Sequence, residues 1–334
     1  MNSFGRVFRV SVYGESHGNS VGVVIDGCPA GLPLSGEDLQ VDLSRRRSGA
    51  KGTTPRVEAD LPHFMSGVFN GYTTGAPINI QFENSNTRSG DYLKTREIPR
   101  PGHADFVASK KFGGFEDFRG GGHFSGRLTL ALVAAGAVAK KLLEGISIYA
   151  TLVEAGGMSD IERAIDMAVE ADDSIGGIVE CRVENLPIGL GEPFFDSVES
   201  LISHAVFSIP AIKGIEFGSG FGAARMKGSE HNDNLLSADG KTETNHAGGI
   251  NGGITNGNFL VFRIAVKPTS STSRPQKTLN VVTGKQEVLK IEGRHDRCIA
   301  LRVPPVLEGV IAIVMADLML MEGKISRIIK QNLI

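Results

Sequence analysis

Two histidines in this sequence stand in turns suited to proton transfer onto an anionic ligand. Arg100-Pro101-Gly102-His103 puts a guanidinium and a titratable imidazole at a Pro-Gly turn, rigid at one residue and able to pass close to a ligand at the next. Gly14-Glu15-Ser16-His17-Gly18 interrupts two apolar runs and so sets His17 between strands. Near an unperturbed pKa of roughly 6.5, an imidazole can protonate a leaving oxygen at neutral pH. Cations for the anion itself are close by in sequence: Arg45-Arg46-Arg47, then Lys51 and Arg56 in a Gly/Thr/Pro loop. Guanidinium is a bidentate donor matched to phosphate and carboxylate, so a pocket of several arginines asks for a ligand with more than one negative group.

A glycine loop adds backbone donors. Gly120-Gly121-Gly122-His123-Phe124-Ser125-Gly126-Arg127 feeds the apolar run Leu128 to Leu143, which reads as a buried helix with Ser125 as its N-cap. Unpaired N–H groups at the positive end of that helix would favour an anion, although glycines that only let elements pack explain the composition equally well. Lys267-Pro268-Thr269-Ser270-Ser271 contributes a cation and three hydroxyls in an extended loop, and Gly293-Arg294-His295-Asp296 repeats the pairing of a glycine turn with ionisable groups.

Other chemistries lack their signatures. There is no His-Glu-x-x-His, Walker loop, Gly-x-Ser-x-Gly elbow or metal-ligand spacing. Gly218-Ser219-Gly220-Phe221-Gly222-Ala223 imitates a dinucleotide fingerprint, but Arg225 to Asp233 after it is polar and glycine-broken where an apolar helix is required. Lys+Arg 35 against Asp+Glu 37 leaves net charge -2, so bulk charge offers nothing to nucleic acid or an acidic membrane. Cys28, Cys181 and Cys298 are far apart, which suits a reducing compartment and points to the cytoplasm. The most apolar run, Val306 to Met321, carries Glu308 and Asp317 and reads as a core helix and not a membrane span.

The elements that must hold these residues alternate strand and helix in a 334-residue chain with 43 glycines. Strands are expected at Phe8 to Tyr13, Val21 to Ile25, Thr74 to Glu83, Ile178 to Val183 and Phe259 to Val266. Helices are expected from Ser35 to Arg47, from a Ser159–Glu162 capping box to about Ala171, over Leu201 to Phe207, and from Pro305 to about Ile329 with a break at Gly323. Asn84 to Asp91 is a polar connection. Pro-x-Gly-Leu recurs at Pro29 and Pro187, and Gly67, Gly71, Gly75 before a strand are echoed by Gly249, Gly253, Gly257. The expectation is an α+β fold: one body of two like units, about 1–145 and 146–334, with antiparallel sheets outside and the two long helices between them.

GESHG at 14–18, RRRSG at 45–49, RPGHAD at 100–105, the glycine loop with Ser125 and Arg127, KPTSS at 267–271 and GRHD at 293–296 together resemble the chorismate synthase family in order and spacing. That resemblance implies 1,4-elimination of phosphate and a ring proton from 5-enolpyruvylshikimate 3-phosphate, reduced FMN as cofactor, and a homotetramer. The family divides between members that reduce their own flavin with NADPH and members served by an external flavin reductase. By resemblance, His17 is the acid for the departing phosphate, His103 protonates reduced flavin, and Asp296 with Ser125 relays the proton from flavin N5. Arg46, Arg47, Arg100, Arg127 and Arg294 become clamps for phosphate and carboxylates. The flavin would lie along His123, Phe124, Ser125, Pro210, Ala211, Gly252, Lys267, Pro268, Thr269, Ser270, Ser271 and Arg294. His123-Phe124 and Leu128 depart from the Arg-Ser and Glu common in the family, which implies altered flavin contacts. A shortened segment before Thr53 leaves open whether Lys51 stands in for an arginine. A phosphatase-like enzyme and a non-catalytic anion-binding protein are the rival classes, separated by flavin dependence and chorismate formation.

Overall fold

The computed structural model describes residues 1–54, 58–85, 95–291 and 295–330; Arg56, Arg294 and most of the polar connection from Asn84 to Asp91 lie outside them. The first half builds an antiparallel sheet from β1 (Ser3–Phe4), β2 (Arg9–Gly14), β3 (Ser20–Asp26), β4 (His63–Ser66) and β7 (Ile78–Glu83), in the order β1-β2-β3-β7-β4, with β5 (Val68–Phe69) and β6 (Tyr72–Thr73) as a small hairpin before β7. Thr74 to Pro77, expected as strand, instead leads out of that hairpin. Alternation makes the sheet one-sided: Val21, Val23 and Ile25 of β3 and Ile78, Ile80 and Phe82 of β7 are buried.

The second half repeats the plan. β8 (Ser147–Ala155), β9 (Gly177–Glu184), β10 (Ile212–Phe217) and β13 (Leu260–Val266) pair antiparallel as β8-β9-β13-β10, the order of β2-β3-β7-β4, and the hairpin β11 (Ile250–Asn251) and β12 (Ile254–Thr255) precedes β13 as β5 and β6 precede β7. A further hairpin, β14 (Gln276–Leu279) with β15 (Gln286–Leu289), has no counterpart among the described residues of the first half. The likeness reaches single hydrogen bonds. Buried Thr73 donates from Oγ1 to the Pro29 carbonyl (2.6 Å) and accepts there from the Leu32 N–H (2.9 Å). Buried Thr255 does the same with Pro187 (2.7 Å) and Leu190 (2.9 Å).

Seven helices among the described residues are α1 (Gly36–Arg46), α2 (Asp105–Phe112), α3 (Thr129–Leu142), α4 (Ile161–Glu170), α5 (Val198–Val206), α6 (Gly228–His231) and α7 (Val303–Met321). At the start of α1, Asp38 accepts from the Ser35 N–H at 2.7 Å, the reciprocal half of a capping box. In α4 the cap sits one residue later than expected, because Asp160 and not Ser159 accepts from the Arg163 N–H. α5 begins three residues before the expected Leu201, where Ser197 caps it. α3 lies on β2 and β3, α7 on β8 and β9, and the two helices pack on each other, giving sheet, helix, helix, sheet. Their crossing is close because a Cβ on Gly136 would overlap Gly309 of α7.

α7 is apolar and long enough to cross a membrane by composition, yet it is buried inside the body. Both of its acids are satisfied there. Glu308 takes Arg45 bidentately (2.6 and 2.7 Å), Lys140 (2.9 Å) and the Ala150 N–H (3.0 Å), and Asp317 accepts from the N–H groups of Arg6, Val7 and Phe8. The helix does not continue to Ile329. It stops before Gly323, which adopts a left-handed φ of 64°, and the chain beyond runs alongside Ala30.

Candidate active site

Gly120, Gly121 and Gly122 carry φ values of 61°, 80° and 53°, and each position excludes a side chain for a different reason. A Cβ on Gly120 would press the His17 ring (2.6 Å to Nε2), one on Gly121 would touch His103 (3.4 Å to Nε2), and one on Gly122 would strike the Asp117 carbonyl. The loop is thus a thin partition with a histidine on each side. His17 is buried in the turn between β2 and β3, whose Ser16 N–H donates to the Gly122 carbonyl at 3.1 Å.

His103 is oriented by a carboxylate. Its Nδ1 lies 2.6 Å from Asp105 Oδ1 and 3.1 Å from Arg100 Nη2, and Nε2 is left facing the glycine loop. Arg100 grips the same carboxylate from Nε (2.8 Å) and Nη2 (2.7 Å). Burial pushes the Asp105 carboxyl up, but the hydrogen bonds from Arg100 and His103 more than reverse this and hold it well below the usual carboxylate range. Arg100 Nη1 donates to Ser271 (3.0 Å) and Ser270 donates to the Gly102 carbonyl (2.8 Å), so the RPGH turn and the KPTSS loop form one wall.

That wall bounds a chamber of about 630 Å³, within the range of roughly 300–1,000 Å³ usual for small-molecule sites. Leu132, Ile299, Val310 and Ile313 make it apolar on one side; Lys267 and hydroxyls of the KPTSS loop make it polar on the other. Lys267 donates to Ser270 at 2.6 Å, and burial followed by the charge of Lys213 pushes its ammonium down. Thr269 Oγ1 is buried with no hydrogen-bond partner among the described residues, a donor and acceptor waiting for a ligand.

A second chamber of about 180 Å³ adjoins the first and shares Gly120, Ser125, Thr269, Ser271 and His295 with it. Its other walls are charged: Arg46, Arg47, Arg127 and Arg302 against Glu58, Asp60 and Asp296. Asp60 is the hinge of this cluster. Its carboxylate takes Arg127 on Oδ1 and Arg46 on Oδ2 (3.5 Å), while Asn84 fixes Arg127 Nε (3.0 Å) and Thr129 fixes Arg46 Nε (3.0 Å). Burial first, then the charge of Arg302, pushes Arg46 down to about 9. Asp296 accepts from the Thr54 N–H (2.9 Å) and faces Arg302 Nη1 (3.5 Å); Arg47 Nε is buried without a partner among the described residues.

The residues singled out from sequence distribute as follows. His103, Arg100, His123, Phe124, Ser125, Pro210, Ala211 and Lys267 to Ser271 line the larger chamber, and Arg46, Arg47, Arg127, Ser125 and Asp296 line the smaller. His17 lines neither and backs the glycine loop. Gly252 sits in the β11–β12 turn with open space around it, away from both chambers, and Arg294 is outside the described residues. Lys51 turns outward to Asp166. Arg45 points away to Glu308, which leaves Arg46 and Arg47 as the arginines of that triplet at the site. His123 directs Nδ1 to the Gly14 carbonyl (3.0 Å) and Nε2 to Asn2 (3.1 Å). Sequence reasoning missed Asp60, Glu58 and Arg302, and gave His295 and Asp105 no roles of their own. Asp60 has no local signal, being an acid in a plain loop. Arg302 had one: a cation at the start of a long helix opposes the helix dipole.

The family model described as chorismate synthase matches residues 8–320. A chorismate synthase of Chitinophaga pinensis is 70% identical over 331 residues, covering 99% of this chain and 100% of that protein. One of Dehalococcoides mccartyi is 47% identical over 362 aligned positions, with 99% and 100% covered. A crystal structure of chorismate synthase superposes with a TM-score of 0.73 at 28% identity, covering 96% of this chain and 93% of that one.

Proposed function

The chain belongs to the chorismate synthase family, and from that membership we propose how its residues divide the reaction. As a chorismate synthase it is a carbon–oxygen lyase of the shikimate pathway: 5-enolpyruvylshikimate 3-phosphate loses phosphate and a ring proton to give chorismate, and the family works with a flavin. One observation carries the assignment of parts: an apolar chamber with an unpartnered Thr269 hydroxyl opens, across Ser125, Thr269 and Ser271, into a smaller chamber rich in arginine.

The larger chamber fits FMN. Its apolar side suits a ring system, and Lys267, Thr269 and Ser270 offer donors to polar and anionic groups. When bound in reduced form, FMN supplies an electron-rich ring beside the substrate. The smaller chamber takes the polyanion: Arg46, Arg47 and Arg127 face its phosphate and carboxylates with little water between, where charge-assisted hydrogen bonds are strongest. His17, packed against Gly120 of the wall the two chambers share, is the acid for the departing phosphate, reaching it past that glycine. His103, with Nε2 toward the loop, holds the proton that keeps the reduced flavin neutral. Asp296 with Ser125 receives the proton that leaves the ring. Arg100, bound to Asp105 and Ser271, acts by aligning His103.

Exposed Phe194, Phe195 and Phe221 support assembly as a homotetramer, and three buried, unpaired cysteines support a cytoplasmic setting. The test is anaerobic turnover of 5-enolpyruvylshikimate 3-phosphate with dithionite-reduced FMN, followed by chorismate absorbance. A parallel reaction with NADPH and oxidised FMN separates a self-reducing enzyme from one served by a reductase. Folded, flavin-loaded protein that makes no chorismate overturns the reading.

A further inference from the structure

The arginines of the smaller chamber differ in how many donors remain. Arg46 gives Nε to Thr129, Nη2 to the carbonyls of Gly126 and Arg127, and Nη1 to Asp60. Arg127 gives Nε to Asn84, Nη1 to Asp60 and Nη2 to the Glu83 carbonyl. Both side chains are almost wholly buried, at 2% and 6% exposure. They set the field of the chamber with three of the five N–H groups of each already committed to hydrogen bonds.

Arg302 is different. Its Nε donates to the Arg46 carbonyl at 3.1 Å, which fixes the plane of the guanidinium, and Nη1 reaches Asp296 only at 3.5 Å. Nη2 makes no hydrogen bond among the described residues, and the side chain is 21% exposed, into the chamber it lines. Its position is also unfavourable without an anion. It stands at the N-cap of α7, a 19-residue helix whose positive end repels a cation, and it is close enough to Arg46 to weaken that residue's hold on its proton. A guanidinium held in plane by a backbone carbonyl, with Nη2 open to the chamber and Arg46 beside it, is a ligand position for carboxylate or phosphate.

We propose that Arg302 binds the substrate directly, its Nη edge taking one of the anionic groups of 5-enolpyruvylshikimate 3-phosphate beside Asp296. This rests on the proposed placing of substrate in the smaller chamber. A role confined to positioning Asp296 or the end of α1 would leave affinity alone, so the test reads binding apart from turnover. Substrate is titrated calorimetrically into enzyme loaded with oxidised FMN, where no reaction occurs, for wild type, Arg302→Ala and Arg302→Lys. Arg302→Ala should raise the substrate Kd about 10- to 100-fold, the range expected for lost charge-assisted hydrogen bonds, with the FMN Kd unchanged. Arg302→Lys keeps the charge without the fork and should fall between; it also serves if the alanine variant does not fold. An unchanged substrate Kd in the folded variants overturns the proposal, whether or not kcat falls. Failure of wild type to bind the substrate or form chorismate would instead overturn the assignment of the site.

Discussion

At the scale of single residues, the site depends on what the glycine loop leaves out. His17→Ala and His103→Ala are each expected to lower kcat by roughly 10²- to 10⁴-fold, the range of general acid catalysis, without unfolding the protein. Gly120→Ala should imitate His17→Ala, since the new methyl would occupy the space of the His17 ring and the position demands a left-handed φ. Steady-state kinetics on the three variants, alongside circular dichroism, decides this; near-normal turnover in Gly120→Ala would show that the loop does not locate His17. Asp105 gives a second expectation. Its folded carboxyl lies below the unfolded value, as does that of Glu308, where burial acts upward and Arg45 and Lys140 outweigh it. Groups shifted down contribute stability that is full above the unfolded carboxylate pKa, about 4, and is lost as pH falls through that value toward the folded one. Asp105→Asn should therefore flatten the fall in melting temperature below about pH 4, and should also lower kcat as His103 loses its orienting partner. An acid limb identical to wild type would contradict the shift.

These residue-level features were unevenly legible. His103, Arg100 and the Pro-Gly turn announced themselves because cation, imidazole and turn are adjacent in sequence. Asp60 did not, because its importance comes from two arginines, 14 residues before it and 67 after it, that only folding brings to one carboxylate. Arg100 was a clamp for substrate by resemblance; the structure pairs its Nε and Nη2 with Asp105 and its Nη1 with Ser271.

At the scale of elements, α3 and α7 decide how close the two halves come. Gly136 has no room for a Cβ because the Gly309 backbone faces it, whereas a Cβ on Gly309 would meet the Leu132 carbonyl at 3.1 Å and the Val133 Cα at 3.3 Å, a tight fit that a small shift relieves. Gly136→Ala is thus expected to destabilise by about 1–3 kcal/mol as overpacking, offset only in part by helix propensity, and Gly309→Ala by clearly less. Urea unfolding of both variants measures the difference, and equal losses would mean that the helices slide apart freely. Helices and strands with strong patterns were readable: the one-sided β7 and β13, the apolar α3, the capped α1. Ends were less so. α7 was expected to reach about Ile329 with a break at Gly323; the left-handed glycine ends the helix there, and the chain beyond it runs beside Ala30 instead.

At the scale of the molecule, neither sheet has a second layer of its own. Each covers one central helix, and those helices cover each other, so separating the halves would expose α3 and α7 together. Calorimetric unfolding should show one cooperative transition in which the calorimetric and van 't Hoff enthalpies agree for each folded unit. Two resolved transitions would mean that the halves fold apart.

The threonine latches at Thr73 and Thr255 separate what the two halves share from what each holds alone. Strand order, hairpin and latch are shared, down to the carbonyl each hydroxyl contacts. The glycine loop with its two histidines belongs to the first half only, and the KPTSS loop and Asp296 to the second. The scaffold is thus present twice and the site once, so a half standing alone would lack both a complete site and a cover for its central helix.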